Sequence, residues 1–258
     1  MKNLLIGAIS GNYAPLDLEN WVSTSNWKDC KRVLLLYNPS QNGIESYLAS
    51  NGIEVITPDF DFWGNEKVEF NVNTGVCDFV KSYDLVHNIR FYHIWNYLKD
   101  VEYSKVLITD VKDVYFNENP FPLLTTNAIT ATSEEIIYEK EEWNKAHIHY
   151  NLGVIGLQTL LDKPVYNVGV FGGGYELIKD LCASIYLMSV GKYKVADQTS
   201  FNYLIQTKYK RDTIFTNLAD NLAVHLHVIS AGLVDFNLDQ IKNYKIVHQY
   251  DRIPGFKR

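Results

Sequence analysis

The sequence predicts one α/β domain in which helices flank a mixed, mainly parallel central sheet. Apolar, β-branched runs typical of buried strands alternate with segments of helical spacing over roughly the first 120 residues. The chain has 258 residues, of which 47% are hydrophobic, so it can bury a full core. No linker, internal repeat or low-complexity segment interrupts it, and we therefore expect a single domain over residues 1–258.

The first half of the chain is expected to form most of the parallel sheet. Asn51-Gly52 is a helix-stop signal, and the apolar spacing that ends at Leu98 is typical of a long helix. The expected strands are Leu4–Ser10, Arg32–Tyr37, Ile53–Thr57 (ending at Pro58-Asp59) and Val106–Thr109, and the expected helices are Leu16–Trp27, Ser46–Ser50 and Asp78–Leu98.

The second half is less regular. A polar segment, Ser133–His149, precedes two apolar runs, Asn151–Leu157 and Val165–Gly172. Helices are predicted at Tyr175–Val190 and Asp197–Gln206, and short strands at Ala128–Thr132, Thr213–Phe215, Val224–Ile229 and Tyr244–His248.

Charge and cysteine usage exclude several classes of protein. A net charge of −6 argues against a nucleic-acid-binding surface, which would be basic. The three cysteines, Cys30, Cys77 and Cys182, are scattered without CxxC spacing and indicate reduced thiols, so we expect a cytoplasmic protein. The apolar run at the start is too short for a membrane span, and none is expected elsewhere.

The most informative segment is VLITDVKDVYFNENPF, residues 106–121. A buried strand ends on Asp110, and Asp113 follows almost at once, with only Lys112 as a neighbouring cation. Carboxylates at the C-terminal end of such a strand lie where open α/β sheets place their ligands. Two carboxylates so close repel each other unless a cation lies between them, and a hard divalent ion suits oxygen ligands. The segment therefore predicts a metal-assisted site for a phosphate-bearing substrate.

Further motifs, in chain order, complete a resemblance that covers almost the whole chain. These are AISGNY (8–13), RFYHIWNYL (90–98), NVGVFGGG (167–174), ADQTSFNYL (196–204) and KIVHQYDRIPGF (245–256). Together with residues 106–121, which resemble a DxD-type aspartate motif, they resemble the nucleotide-sugar glycosyltransferases of the GT-A fold, including glycogenin-like members. The resemblance implies a Rossmann-like nucleotide-binding half (1–120) and an acceptor-binding half (121–258).

The resemblance also implies a metal site. The aspartates here are three positions apart, whereas the usual motif spaces them by two. Asp113 therefore fits the metal-binding role best, and Asp110 either shares the ion or contacts the ribose. His248 matches the histidine that completes the metal shell in glycogenin-like members. One imidazole among oxygen ligands favours Mn²⁺ over Mg²⁺.

The nucleotide site follows from the same motifs. Gly11, Asn12 and Tyr13 form a turn that cups the base with Tyr13 stacked on it, or else a plain β-turn with a surface tyrosine. Arg90 either contacts the diphosphate or braces the aspartates, the alternative being a surface arginine. Arg252 stands where many relatives carry a lysine and is assigned to the diphosphate.

The sugar and acceptor side involves the second half. Asn167 with Gly172 and Gly173 is interpreted as pocket wall, Gln198 as a partner of the sugar, and His149 as lining the acceptor side.

Asp197 is the predicted catalytic carboxylate. In an inverting enzyme it would deprotonate the acceptor hydroxyl, and in a retaining one it would stabilise charge at the anomeric carbon. The alternative is a helix N-cap. Glu141 and Asp251 are the next candidates.

Two histidine pairs suggest a different class. His147/His149 and His225/His227 have a spacing that puts both rings on one face of a strand, as in the zinc or iron site of a metallohydrolase or oxygenase. Neither pair has an obvious third ligand. The sequence therefore favours a metal-dependent glycosyltransferase with a nucleoside-diphosphate sugar as donor and a glycan or other hydroxyl as acceptor. The rivals are a nucleotidyltransferase of related fold and a non-catalytic sugar-nucleotide or glycan-binding module.

Overall fold

A computed structural model describes residues 1–11, 13–37, 43–58, 66–71, 76–81, 86–192 and 194–256. Its strands are β1 Asn3–Ser10, β2 Cys30–Tyr37, β3 Glu54–Ile56, β4 Glu66–Asn71, β5 Val76–Lys81, β6 Lys105–Thr109, β7 Val114–Phe116, β8 Ile129–Ile137, β9 Pro164–Gly174, β10 Thr213–Thr216, β11 Ala223–His225 and β12 Ile246–His248. Its helices are α1 Glu19–Thr24, α2 Ile44–Ser50, α3 Val86–Leu98, α4 Glu142–Leu160, α5 Tyr175–Ser189, α6 Asp197–Gln206 and α7 Leu226–Ser230.

The described residues form a central seven-stranded sheet in the order β10-β8-β9-β6-β1-β2-β3. Only β9 runs against its neighbours, and every other pairing is parallel. The predicted fold class, a mixed but mainly parallel sheet flanked by helices, is confirmed. Strands from both halves of the chain lie side by side in it, because β9 pairs with β6.

The sheet is covered on both faces. Strand side chains alternate between faces, so Leu4 and Ile6 of β1 join the core formed with α3 and α5, whereas Leu5 joins the core formed with α1 and α2. Burial on both sides explains why these strands are continuous apolar runs in the sequence.

A second, three-stranded sheet in the order β11-β12-β7 stands beside the first. Strand β12 pairs antiparallel with β7, and His248 lies opposite Val114. This pairing brings the end of the chain next to the loop that follows β6, and so positions the candidate site.

Several predicted elements differ from the structure. The long helix predicted from Asp78 begins only at Val86, because residues 76–81 form β5, which pairs antiparallel with β4. Its run VCDFVK carries the β-branched and aromatic residues that favour strands. The strand predicted at Val224–Ile229 is β11 followed by α7, and the apolar run Asn151–Leu157 belongs to α4. Asp59, at the predicted end of the third strand, lies outside the described residues.

No helix among the described residues is long and apolar enough to cross a membrane.

Candidate functional site

The site begins where β6 ends. Asp110 is the first residue after that strand, and its backbone N–H donates to the carbonyl of Gly169 at 2.7 Å. Three residues later Asp113 precedes β7, and its carbonyl accepts a hydrogen bond from Gln249 N–H at 2.7 Å. The loop is thus fixed at both ends, by β9 on one side and by the segment after β12 on the other.

His248 lies between the two carboxylates. Its Nε2 is 3.4 Å from Asp110 Oδ2 and 3.8 Å from Asp113 Oδ1. One ligand atom from each of the three residues fits within 4.8 Å of the others. The imidazole is buried, and among the described residues its Nε2 has no partner with hydrogen-bond geometry.

A chain of hydrogen bonds behind His248 determines which nitrogen faces the carboxylates. Thr132 donates its hydroxyl hydrogen to the carbonyl of Val170 at 2.7 Å, so its oxygen accepts from His225 Nε2 at 2.9 Å. Burial and His248 hold the pKa of His225 well below its usual value, so His225 is neutral and its Nδ1 is an acceptor. His248 Nδ1 therefore donates to it at 3.0 Å. Burial opposes the charged ring, but Asp113 and Asp110 outweigh it and raise the pKa of His248, which favours a proton on Nε2. A bound cation would displace that proton and take the lone pair of Nε2.

Gly169 makes room for this arrangement. A Cβ at this position would lie 2.5 Å from Asp110 Oδ2 and 2.8 Å from His248 Cε1. Any larger residue on this part of β9 would displace the two side chains. The glycine is therefore needed for close approach, not for an unusual backbone conformation.

The donor set fits a divalent cation. Burial, together with Asp110 and Asp251, raises the pKa of Asp113 despite the nearby His248, so without a cation this carboxylate is destabilised in its charged form. Two carboxylates and one imidazole suit Mn²⁺ or Mg²⁺. The orphaned Nε2 of His248 would gain a partner at the same time.

Arg90 of α3 joins this cluster to α6. Its Nη1 donates to Asp110 Oδ1 at 2.5 Å and its Nη2 to Asp197 Oδ2 at 3.0 Å. Burial alone would lower the pKa of Arg90, but the two carboxylates outweigh it and raise that pKa. In return Arg90 and His248 overcome the effect of burial and hold the pKa of Asp110 well below its usual range. Of the interpretations open for Arg90, the structure supports a bracing role, exerted on Asp110 and Asp197.

Asp197 is almost completely buried, with 3% of its side chain exposed. Its Oδ1 accepts from Gln198 N–H at 2.8 Å. The N-cap position of α6 is Ala196, one residue before Asp197. Asp197 is the first residue of the helix, where its Oδ1 accepts from a first-turn amide while its Oδ2 belongs to an ion pair with Arg90.

Buried and half-buried amides and a buried carboxylate form a second polar cluster beside the first. Gln198 Nε2 donates to Asn144 Oδ1 at 3.0 Å and to Glu134 Oε1 at 3.2 Å. Asn167 donates to the same Glu134 oxygen at 2.7 Å and accepts from Gly169 N–H at 2.7 Å. Burial raises the pKa of Glu134, although Asn167 and Gln198 oppose the shift by hydrogen bonding. Through Gly169, this cluster adjoins the carboxylates of the first.

A cleft of about 340 Å³ opens in front of the carboxylates. It is lined by several residues predicted for the nucleotide, namely Tyr13, Arg90, Asp110 and Arg252, as well as by Asp113. Gly11 has a φ of +123°, and a Cβ there would lie 3.4 Å from the Tyr13 ring, so the turn closes against that ring. Asn12, which was predicted to belong to this turn, lies outside the described residues.

Two predicted wall residues lie elsewhere. Gly172 and Gly173 pair with Leu107 and Val106 of β6, toward the end of the strand away from Asp110. A Cβ on Gly173 would lie 2.1 Å from the carbonyl of Ala128. The pocket-wall interpretation is therefore corrected, since these glycines allow close packing of β9 against its neighbours.

The histidine pairs do not form strand sites. His147 and His149 lie on α4, and His149 is exposed beside Tyr150. His225 ends β11 whereas His227 lies in α7, so only His225 approaches His248. The prediction that each pair shares one face of a strand is wrong.

Sequence reasoning missed five functional candidates: Glu134, Thr132, Asn144, Gly169 and the role of His225. Thr132 and Glu134 follow the apolar start of β8 in TATSEE, and their polar character within a strand was the available signal. Gly169 is part of the Asn-x-Gly segment whose importance was recognised. Lys112, His87 and Asp251 also line the cleft.

No protein-family model matches the chain, and no curated protein matches it by sequence. Solved structures do match. An active-site glutamine-to-glutamate mutant of LgtC is 15% identical, with a TM-score of 0.53 over 95% of this chain and 86% of the LgtC chain. The galactosyltransferase LgtC in complex with donor and acceptor sugar analogs is 17% identical, with a TM-score of 0.51 and the same coverage.

The apo structure of the bifunctional glycosyltransferase WbbM is 12% identical, with a TM-score of 0.56 over 96% of this chain and 45% of the WbbM chain. Identities this low establish the fold alone. The predicted fold is confirmed: this chain has the GT-A fold of these glycosyltransferases.

Proposed function

We propose that the protein is a metal-dependent glycosyltransferase that moves a sugar from a nucleoside-diphosphate sugar to a hydroxyl group, most simply that of a glycan. The observation that carries the proposal is the group formed by Asp110, Asp113 and His248 at the mouth of a cleft, on a fold shared with glycosyltransferases. A structural aspartate pair would not need a buried imidazole whose Nε2 lies 3.4 Å from one carboxylate and 3.8 Å from the other.

Asp113, His248 and Asp110 would hold Mn²⁺ or Mg²⁺. When bound, such an ion neutralises the charge that develops on a diphosphate leaving group. The residues contribute orientation: His225 holds the His248 ring, and Arg90 holds the Asp110 carboxylate, so their ligand atoms are in place before the donor arrives.

The donor nucleotide is proposed to occupy the cleft. Tyr13 offers an aromatic face for the base, and Lys112 lies 5.7 Å from the centre of that ring. Arg252 lies on the cleft wall with 58% of its side chain exposed, and its Nε is 3.4 Å from Asp251 Oδ1; it would turn from that carboxylate toward a diphosphate.

The donor sugar is proposed to lie against the second polar cluster. Sugars present several hydroxyl groups that both donate and accept, and such groups are matched by planar amides and carboxylates. Gln198, Asn144, Asn167 and Glu134 already form a connected network, so their orientations are fixed before a sugar binds. His149, exposed on α4, stays a prediction for the acceptor side.

Asp197 is proposed to act in the chemical step through Arg90 and not as a general base. Both of its oxygens already accept hydrogen bonds, and it is shielded from the cleft by burial. A base must reach the proton that it removes. Asp197 therefore fits a positioning role, in which it keeps Arg90 aligned with Asp110 while the fixed charges stabilise the separating diphosphate and sugar.

A donor screen tests the proposal. UDP-, GDP- and dTDP-sugars are added with Mn²⁺ or with EDTA, and the melting temperature is measured. We expect one nucleotide class to raise it in Mn²⁺ and not in EDTA, because the ion bridges protein and diphosphate. Asp113→Asn should abolish the shift, whereas Asp212→Asn, an exposed aspartate at the far edge of the sheet, should retain it.

Two outcomes would contradict the proposal. The first is a sugar nucleotide that raises the melting temperature as much in EDTA as in Mn²⁺, and as much for Asp113→Asn as for the wild type. Donor binding would then not depend on a metal ion. Metal-dependent binding without any release of nucleoside diphosphate, with acceptors present, would favour the non-catalytic sugar-nucleotide-binding module instead.

A further inference from the structure

The segment that leads into α6, residues 194–196, is held by side chains from two other helices. These residues belong neither to a helix nor to a strand, and Ala196 is completely buried. Buried peptide groups outside helices and sheets need other hydrogen-bond partners. Here the partners are two asparagines, Asn88 of α3 and Asn151 of α4.

Asn88 binds the segment through both ends of its side-chain amide. Its Oδ1 accepts from the N–H of Ala196 at 3.0 Å, and its Nδ2 donates to the carbonyl of Lys194 at 3.3 Å. A side-chain amide offers an acceptor and a donor, as a peptide group does, so Asn88 takes the place that a neighbouring strand would have. Only 4% of the residue is exposed, so water does not compete for these hydrogen bonds.

Asn151 holds the residue between them. Its Nδ2 donates to the carbonyl of Val195 at 3.0 Å, and 7% of the residue is exposed. Lys192 Nζ also donates to the backbone carbonyl of Asn151 at 3.1 Å, which ties the connection between α5 and α6 to α4 a second time. Three consecutive residues are therefore fixed by two helices, immediately before Asp197 and Gln198.

The same two helices also hold the first two side chains of α6. Arg90 of α3 donates to Asp197 Oδ2 at 3.0 Å, and Asn144 of α4 accepts from Gln198 Nε2 at 3.0 Å. Each helix thus contributes one asparagine to the backbone before α6 and one side chain to a residue of the candidate site. On α4 both contacts come from one face, because Asn144 and Asn151 are about two turns apart.

We propose that Asn88 and Asn151 are positioning residues for the transfer reaction, and that they hold residues 194–196 so that Asp197 and Gln198 take a single arrangement in the site. This step rests on the proposed function, in which Gln198 contacts the donor sugar. Neither asparagine is among the described residues that line the cleft, so both act through their neighbours. Groups that stabilise a transition state must be held within about 0.5 Å of their working positions.

A purely structural role for the two asparagines makes a different prediction. Loss of a buried hydrogen bond lowers stability wherever it occurs, whereas loss of positioning lowers turnover in particular. Tyr175 supplies a matched control, because its buried hydroxyl donates to the carbonyl of Leu98, at the opposite end of α3 from Asn88. Tyr175→Phe removes this hydrogen bond between side chain and backbone without a change near the site.

Hydrogen exchange followed by mass spectrometry tests the contacts on the protein without any ligand. Asn88→Ala leaves the N–H of Ala196 without its acceptor, so the peptide that contains Ala196 should exchange about tenfold faster than in the wild type. Asn151→Ala should have a smaller effect on this peptide, since Asn151 binds a carbonyl and no N–H loses its acceptor. Tyr175→Phe should leave the peptide unchanged.

Turnover is then measured with the sugar nucleotide that stabilises the protein best in Mn²⁺. Asn88→Ala and Asn151→Ala should each lower kcat by about 10- to 100-fold, with KM for the donor nearly unchanged because the cleft and the metal ligands are intact. Tyr175→Phe should keep the wild-type kcat, even if its melting temperature falls as far as that of the asparagine variants.

The failures of this proposal and of the proposed function are distinguishable. Unchanged exchange at Ala196 in Asn88→Ala, or an asparagine variant that turns over like Tyr175→Phe, would overturn the positioning role and leave the proposed function standing. A wild type that binds no sugar nucleotide would refute the proposed function and the positioning role with it, whatever the exchange rates are.

Discussion

Replacement of Asp197 by asparagine tests whether this carboxylate belongs to a buried ion pair. The oxygens of Asp197 accept from two donors, Arg90 Nη2 at 3.0 Å and Gln198 N–H at 2.8 Å. Asparagine keeps the shape but turns one oxygen into an NH₂ group, so one of the two donors loses its acceptor. Arg90 keeps Asp110 as a partner, which limits the loss.

We expect Asp197→Asn to lower the free energy of unfolding by about 2–3 kcal/mol, near the cost of one charge-assisted hydrogen bond in a buried site. For a chain of this size that corresponds to a fall in melting temperature of roughly 4–12 °C. The assay is thermal and urea unfolding followed by circular dichroism.

The matched control is Glu54→Gln, which makes the same chemical change in an ion pair with Lys31 whose side chains are 39% and 40% exposed. It should cost less than about 1 kcal/mol. If Asp197→Asn destabilised the protein no more than Glu54→Gln does, the buried ion pair and the positioning role built on it would be refuted.

Three further predictions concern the metal ligands and one half-buried histidine. Gly169→Ala should reduce Mn²⁺ affinity, measured by calorimetry, because its Cβ would lie 2.5 Å from Asp110 Oδ2; unchanged affinity would mean that the carboxylate does not bind the ion. His225→Phe removes the acceptor for His248 Nδ1 and should cost about 10- to 100-fold in Mn²⁺ affinity, and an equal affinity would show that the ring needs no support. Burial lowers the pKa of His93 from 6.5 to about 4, so the unfolded chain binds a proton there first and stability should fall as the pH drops from 6.5 to 4. The free energy of unfolding is measured by urea titration at several pH values. In His93→Gln it should fall by about 1–3 kcal/mol less than in the wild type between pH 6.5 and 4, and an equal fall would contradict a lowered pKa for His93.

The fold could be predicted because its signals are local. Runs such as that of β1, buried on both faces, need no knowledge of partners, and α6 begins at Asp197 and ends at Gln206 as expected. The prediction was wrong where two signals compete. Asp78–Lys81 satisfied an apolar helical spacing when joined to α3, but these residues belong to β5, which pairs antiparallel with β4.

The site could be predicted only in part, since its members come from distant parts of the chain. Asp110 and Asp113 are only three positions apart in the sequence, whereas His248 reaches them through the pairing of β12 with β7. That pairing is a tertiary event, and only the resemblance to known motifs indicated it. Arg90 and Asp197 were both singled out, but nothing in the sequence shows that one guanidinium contacts both Asp197 and Asp110.

Buried polar residues were the hardest to interpret. Glu134 and His225 have no charged neighbours in sequence that explain their burial, and their partners, Asn167 and His248, lie on other strands. For the three glycines of residues 172–174 the error was the opposite, because a functional role was assigned to residues that pack within the sheet. Glycine permits close approach to a ligand and to another strand equally well, and the packing of Gly173 against Ala128 could be known only from the sheet.

The central claim is tested most directly by release of nucleoside diphosphate from the sugar nucleotide that stabilises the protein best, with acceptor present. The wild type should release it with Mn²⁺ and stop in EDTA, and Asp113→Asn combined with His248→Ala should remain inactive at any Mn²⁺ concentration. Asp212→Asn should match the wild type. Turnover that continues in EDTA, or in the double variant, would contradict a metal-dependent glycosyltransferase built on Asp110, Asp113 and His248.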